Sequence, residues 1–417
     1  MSCERRTATA GPAAPSFAHL RRLTDDTGLL EHALGRIPRR KEGYTADDNS
    51  RALWTVTEWL SVGGDDLPSE ELSRLADVYL AYLLWSQRDD GWIHNNIAYD
   101  RVPETEERSH DCQGRAFWSC ADAWVRLSLP IRETARAIVE RAMPTLGGIR
   151  SHRGHAFAMA ACAHLLEAAD GGAICLAGDV RAELTYHVAR LEGILTRAFE
   201  AFDDGRGWRW FEPAMTYGNG VLPWALLRTY RYTRRSATLR AGMASLDCLL
   251  GRMLALEGWL RPIGNESWCT KDRASFWDQQ PLETFKLALA LEEAAQVAPS
   301  TDNHDSRGEL VGSFATSSAR DGTVASRDRN INEGDGHSRS QDGRCGGSAS
   351  MAAHFRALRD RCRDWYYGRN DLGVSLVDTS DGSCCDGLTR YGPNMNCGAE
   401  STLSYLMTEA LCRRGKA

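Results

Sequence analysis

The sequence predicts an all-α protein, an (α/α)6 toroid of six inner and six outer helices with one disordered insertion. Three observations predict it. Apolar residues recur at helical spacing through most of the chain, as in Leu72, Leu75, Ala76, Tyr79, Leu80, Leu83 and Leu84, or Val188, Leu191, Ile194 and Leu195. Strand-like alternation is almost missing. The helical segments are of two kinds, one amphipathic and one apolar after a short polar opening, and the two kinds alternate six times.

The amphipathic segments are 17–36, 69–87, 131–143, 181–200, 237–254 and 351–367. A helix charged along one face keeps that face in water, so these form the outer layer. The other six open as GYTADDNSRALW (43–54), HDCQGRAFWSC (110–120), SHRGHAFAMAA (151–161), TYGNGVLPWALL (216–227), DQQPLETFKLAL (278–289) and NCGAESTLSYLM (396–407). Apolar beyond their first turn, they belong inside. The repeat of about 40 to 65 residues fits helical hairpins closed into a ring, with the inner helices parallel and their polar openings on one rim.

Residues 1–15 read as a flexible N-terminus and 16–417 as a single toroid domain. Segment 299–350 interrupts it, rich in Ser, Gly, Asp, Asn and Arg without a hydrophobic period, and reads as a disordered insertion between two helices. The 417 residues are 42% hydrophobic and 25% charged, and 50 Lys+Arg against 56 Asp+Glu leave a net charge of -6. With no basic cluster, nucleic acid is not the expected partner. No apolar run approaches the ~18 residues of a membrane span and none suits a signal peptide, so a cytoplasmic protein without a membrane partner is expected. Thirteen cysteines, with neither a disulfide framework nor paired zinc spacing, read as reduced thiols packed as small hydrophobes; Cys384-Cys385, in a Gly/Asp-rich turn, is the local exception. Neither a GxxxxGK[ST] loop nor GxGxxG after a strand occurs, so nucleotide binding has no support and no cofactor is expected; without ligand spacing, no metal is expected either.

The rim concentrates the chemistry. Asp47, Asp48 and Asn49 open the first inner helix, Asp111, Gln113 and Arg115 the second, His152, Arg153 and His155 the third. Tyr217 and Asn219 open the fourth, Asp278, Gln279, Gln280 and Glu283 the fifth, and Asn396 and Glu400 the sixth. Preceding loops add Trp92, His94 and Asn95, then Trp208, Trp210 and Glu212, then Trp259 and Trp268. Carboxylates, amides and indoles together suit a sugar, whose C–H faces stack on aromatic rings and whose hydroxyls need polar partners. Cleaving a glycosidic bond needs one protonated and one ionised carboxyl. Asp48, Asp111, Glu212 and Asp278 are the expected acid, base and supporting carboxylates, and the other rim residues the substrate-binding set.

Blander roles compete. Asp47, Asp48 and Asp111 suit helix N-caps, and Asp278 stands just ahead of Pro281. His152 and His155 lack the companions of a metal site, which leaves hydrogen bonding as their expected role. Trp54, Trp118 and Trp224 lie inside apolar runs and read as core.

Those six openings, together with TDDTGLLEHA (24–33), resemble a bacterial family of helical-toroid proteins found beside, or fused to, glycosyltransferases and mannoside phosphorylases. More distantly the architecture is similar to (α/α)6 glycoside hydrolases. The resemblance implies carbohydrate metabolism, an oligosaccharide substrate, and a glycosyltransferase or glycoside phosphorylase in the same pathway. In a six-hairpin ring the first opening stands opposite the fourth and the second opposite the fifth, so Asp47 and Asp48 would face Glu212 and Tyr217, and Asp111 would face Asp278. Carboxylates on opposite walls favour an inverting glycoside hydrolase, which needs about 6.5–9.5 Å between them. The alternatives are a non-catalytic glycan-binding partner of a glycosyltransferase, a sugar epimerase using His152 or His155, and a terpenoid-cyclase-like toroid suggested by QRDDGW, which the polar rim disfavours.

Overall fold

The computed structural model describes residues 14–63, 68–298 and 347–414, so nearly all of the expected N-terminal tail and insertion lie outside the described residues. Along these residues run twelve α-helices. The inner ones are α2 (Ala46–Val62), α4 (His110–Arg126), α6 (His152–Asp170), α8 (Val221–Thr233), α10 (Pro281–Val297) and α12 (Ala399–Arg413). Each packs against the next, and α12 packs back on α2 to close the ring. Outside them α3 (Ser69–Ser86), α5 (Ile131–Ala142), α7 (Gly178–Phe202), α9 (Ser236–Met253) and α11 (Gly347–Tyr366) each pack on the inner helix before them, and α1 (Ala18–Leu23) packs on α12. The (α/α)6 toroid is thus complete.

Two boundaries differ from expectation. Helix α11 begins at Gly347, inside the stretch expected to be without structure. The expected outer helix over 17–36 stops at Leu23. There the Thr24 hydroxyl donates to Leu20 O (2.8 Å) and Asp25 Oδ1 accepts from the backbone of Thr27 (2.9 Å) and Gly28 (3.3 Å). Side chains that bond the local backbone stop helix propagation, and the chain runs on into a small hairpin pairing Ala33–Leu34 with Ile37–Pro38.

Hydroxyls cap three inner helices: Thr45, Ser109 and Ser151 accept from the backbone N–H of Asp48, Cys112 and Gly154 at 3.2, 3.3 and 3.0 Å. Asp47, Asp48 and Asp111 are therefore not the N-caps, and their carboxylates are left for other work. Glycine sets the spacing of α4 and α6. A Cβ on Gly114 would meet Gly154 O at 2.5 Å, and one on Gly154 would meet His110 O at 2.4 Å.

Connections leading into the inner helices are long, as in 87–109, 254–280 and 367–398, while those leaving them are short, as in 127–130 and 234–235. Two-stranded ladders stiffen the long ones, for example Tyr44–Thr45 with Asn96–Ile97 and Gly387–Thr389 with Gly392–Asn394. The polar loops consequently gather at the N-terminal rim. Below them an aromatic septum fills the ring axis: Trp54 of α2, Trp118 of α4 and Trp224 of α8 lie with centroids 4.8–5.8 Å apart, edged by Phe157 and Phe285. These three tryptophans are core, as expected. Among the described residues no helix is long and apolar enough to cross a membrane.

Candidate active site

A cavity of about 300 Å³ opens on the rim where the first and last inner helices meet. Its carboxylates are Glu31, Asp47, Asp48, Asp386 and Glu400, with Arg51 as the cation among them and Asn95, Asn96 and Gln280 on its wall. Arg51 bonds Asp48 at 2.5 Å and Glu400 at 2.7 Å, and Arg115 from α4 pairs with Asp47. The loop wall is fixed by Glu106, which accepts from the backbone of Asn95 (2.7 Å) and Asn96 (2.8 Å), while Asn95 Oδ1 receives the N–H of Asp47 at 3.1 Å.

These carboxyls do not share one protonation state. Glu31 is held by its backbone, its carbonyl accepting from Ala399 N (2.9 Å) and its N–H donating to Gly43 O (3.2 Å). Burial, then the neighbouring charges of Asp48, Asp47 and Glu400, push its carboxyl up to about 8 against the opposing pull of Arg51. Burial also works against ionised Asp47, yet Arg115 and Arg51 outweigh it and hold that carboxyl below its ordinary value. Asp48 is raised by burial and by Glu400 and Asp47, despite Arg51. One cavity thus holds a carboxyl raised to about 8 and another held below its ordinary value, a difference of the kind that acid and base roles require.

A second cluster lies further round the rim. Asp111 accepts from Tyr217 OH (2.7 Å) and from Ser151 Oγ. Arg153 lies 4.3 Å from the Tyr217 ring centroid, donates to Tyr217 O and to Thr216 Oγ1 (2.9 Å), and approaches Glu212 at 3.5 Å. His152 Nδ1 stands 3.3 Å from Glu212. Burial disfavours the Glu212 charge, but His152 and Arg153 together hold its carboxyl below the ordinary range. Asp47 thus pairs with Arg115 of the neighbouring inner helix, and Asp111 with Ser151 at the start of α6 and with Tyr217 in the loop before α8, two openings on, so neither of these contacts runs straight across the ring.

Among the expected substrate-binding residues, Asp47, Asn95, Gln280 and Glu400 line the cavity together with Asp48. Arg115 braces Asp47 from outside it. Several others are framework. Asn49 bonds Leu29 N (2.9 Å) and Thr45 O (2.8 Å), Gln113 bonds Ile93 N (2.8 Å) and Thr145 (2.8 Å), and His155 donates to Ile149 O (2.7 Å). Gln279 ties Asp371 (2.7 Å) to Trp365 (3.0 Å), and Asn396 receives Gly35 N at 3.0 Å. Glu283 accepts from Asn219 Nδ2 at 2.8 Å and from the backbone of Gly218. His94 accepts from Arg88 at 2.6 Å beside Glu106.

The tryptophans expected to stack on sugar are packed away: Trp92 is 6% exposed, Trp208 4% and Trp210 0%, because their loops fold down onto the helices. Asp278 sits in a left-handed backbone conformation (φ 60°), and burial and Glu266 raise its carboxyl. It does not line the cavity. Sequence reasoning missed Glu31 and Asp386, and also Lys286. The Lys286 amine is buried without a hydrogen-bond partner, 4.1 Å from the Phe285 ring centroid and 4.9 Å from that of Trp54. Burial, Arg115 and Arg51 drive it well below an ordinary lysine, against Glu400 and Asp47.

Among the described residues no group of three or more His, Cys, Asp or Glu is arranged to hold a metal ion, and the described cysteines are free thiols. No family model matches the chain, and no curated protein matches its sequence. Solved structures do share its fold. A cellobiose 2-epimerase from Bacillus thermoamylovorans superposes with TM-score 0.59 at 9% identity, over 95% of this chain and 96% of that one. A D-mannose isomerase gives TM-score 0.59 at 9% identity over 95% and 94%. A GH76 α-mannanase from Bacteroides thetaiotaomicron gives 0.55 at 11% over 96% and 93%. At such identities the likeness establishes the (α/α)6 architecture, and it runs nearly end to end in every case.

Proposed function

We propose that the protein is a carbohydrate-active enzyme that cleaves a glycosidic bond in the rim cavity. Glu31 gives its proton to the departing oxygen, and ionised Asp47 takes a proton from the water that adds at the anomeric carbon. The bond from anomeric carbon to leaving oxygen breaks, one C–OH forms, and solvent returns the proton from Asp47 to Glu31. This is the inverting course. Asp48, Arg51 and Glu400 set the charge that keeps the two carboxyls apart in protonation, while Asp111, Glu212, His152 and Tyr217 hold more distant parts of an oligosaccharide. The observation that carries the reading is a raised Glu31 and a lowered Asp47 in one cavity. In support, an inactive variant of an α-1,6-mannanase of this fold changes two adjacent aspartates, and Asp47-Asp48 is the adjacent pair lining this cavity.

A second reading, a sugar epimerase or isomerase, rests on His152 beside Glu212, a base able to remove a proton next to a carbonyl. The resemblance of the helix openings further suggests a place beside a glycosyltransferase or glycoside phosphorylase, acting in catalysis or as a binding partner. Incubation with α- and β-linked mannosides and glucosides, followed by proton NMR, separates these readings. Hydrolysis yields new reducing ends of inverted configuration, whereas an epimerase changes a sugar without changing their number. Glu31→Gln and Asp47→Asn are expected to lower kcat by ~100-fold or more; near-normal kcat in both would exclude this acid/base pair.

A further inference from the structure

Beneath the aromatic septum, at the mouth opposite the rim, the ring encloses a larger cavity of about 470 Å³. Its inner wall is the septum, Trp54, Trp118 and Trp224, and its sides carry charged residues from the C-terminal halves of the inner helices. Parallel inner helices direct the negative ends of their dipoles here, and Arg126, Arg231 and Arg413 occupy last-turn positions that offset them. The guanidiniums are matched by acids: Arg126 with Glu58 (2.7 Å) and Asp122 (3.1 Å), Arg231 with Glu293 (3.0 Å), and Arg414 with Glu58. Ion pairing thus accounts for most of the polar lining.

His164 Nε2 stands 3.4 Å from Asp122, and beyond it two donors remain outside that account. Arg228 spends one nitrogen, Nη2, on both Glu167 (2.5 Å) and His164 Nδ1 (2.7 Å), leaving Nη1 buried without a partner. Trp118 Nε1 is likewise buried without one. Both residues line the cavity, at 6% and 4% exposure, and both flank His164, whose ring centroid lies 5.6 Å from that of Trp118. Leaving buried donors unmet is costly, so an oxygen acceptor is wanted at this spot. With the fixed charges nearly balanced, that acceptor need not be an anion. Carboxylates able to accept from hydroxyls, two free donors and an indole wall are together what a sugar ring requires.

We propose that this cavity is a second binding site, taking a single neutral pyranose ring whose oxygens receive Arg228 Nη1 and Trp118 Nε1. Its volume lies within the ~300–1,000 Å³ of small-molecule sites. The septum separates it from the rim, so its occupancy does not depend on what the rim catalyses.

Titration with methyl α-D-mannopyranoside and methyl β-D-glucopyranoside, followed by tryptophan fluorescence and saturation-transfer NMR, tests the proposal, with glucose 6-phosphate as a charged comparator. At least one neutral glycoside is expected to bind, with Kd weakened ~10-fold or more by Arg228→Met and measurably by Trp118→Phe, which keeps an aromatic face in the wall and removes the N–H donor with part of the indole. The rim variant Glu31→Gln should retain that component. Circular dichroism establishes that each variant is folded, and should Arg228→Met unfold, Trp118→Phe alone decides. The proposal is overturned if neither glycoside binds, if only the phosphate does, or if the neutral component is unchanged by a folded variant of the lower cavity.

Discussion

Arg51 of the first inner helix and Glu400 of the last meet at 2.7 Å, so the ion pair that closes the ring also lies in the wall of the rim cavity. Arg51 is only 7% exposed and touches Asp48 as well. Removing its charge leaves the buried Asp48 carboxylate without its cation, which typically costs about 3–5 kcal/mol. Arg51→Met is accordingly expected to lower stability by that order in denaturant melts and to abolish turnover. Arg51→Lys keeps the charge but not the fork that spans two acids, and should recover stability further than activity.

Glu31 makes activity and stability depend on pH in a defined direction. Its proton is held up to about 8, well above an ordinary glutamate. In its proposed role as acid it must be protonated, so kcat is expected to fall as pH rises through about 8, and to fall on the acidic side as Asp47 is protonated. A carboxyl raised in the folded state gives stability that is complete below its unfolded value of 4.5 and lost as pH climbs through the folded one. Glu31→Gln should therefore melt higher than the parent above pH about 8 and remove the alkaline limb of the rate profile. An alkaline limb that persists in Glu31→Gln would assign the acid to another group.

Much of the ring was legible because its inner helices announce themselves twice, by a polar, glycine-bearing opening and by an apolar run. Gly114 and Gly154 mark places where backbones touch, and Trp54, Trp118 and Trp224 fall inside apolar runs that become the septum. The first outer helix misled because 17–36 mixes apolar and charged residues as an amphipathic helix does, whereas Asp25 and Thr24 end it locally. The site was half legible. Asp47, Asp48 and Glu400 carry position in their helix openings, but Glu31 sits in an apparent amphipathic helix and becomes chemical only because the chain returns at Ala399 to bond its carbonyl. Tryptophan content was a poor guide to stacking, since Trp208 and Trp210 fold into the core.

Close approach of α4 and α6 gives a stability prediction independent of chemistry. The Cβ of Gly154→Ala would press on the His110 carbonyl, a backbone atom that cannot swing aside. Overpacking of this kind costs about 1–3 kcal/mol or more. The variant is expected to melt lower, with loss of turnover following the shift of Asp111 at the start of α4 and Ser151 at the start of α6. An unchanged melting temperature would mean that the two helices can separate freely.

Lys286 supplies the last prediction, since a buried amine without a partner is a liability to the fold. Burial, with Arg115 and Arg51 nearby, drives it well below the ordinary lysine value of 10.5. The unfolded chain binds that proton over the window between the depressed native value and 10.5, so stability rises with pH across the window and is lost as pH falls toward the native value. Lys286→Met keeps the volume and removes the amine. It is expected to raise the melting temperature by about 2–4 °C at neutral pH, with the gain shrinking as pH rises and vanishing above about 10.5. A variant that melts lower at neutral pH would show instead that the amine is charged and held by the Phe285 and Trp54 faces, and that the electrostatics of the ring axis are the reverse of those drawn from Arg51 and Arg115.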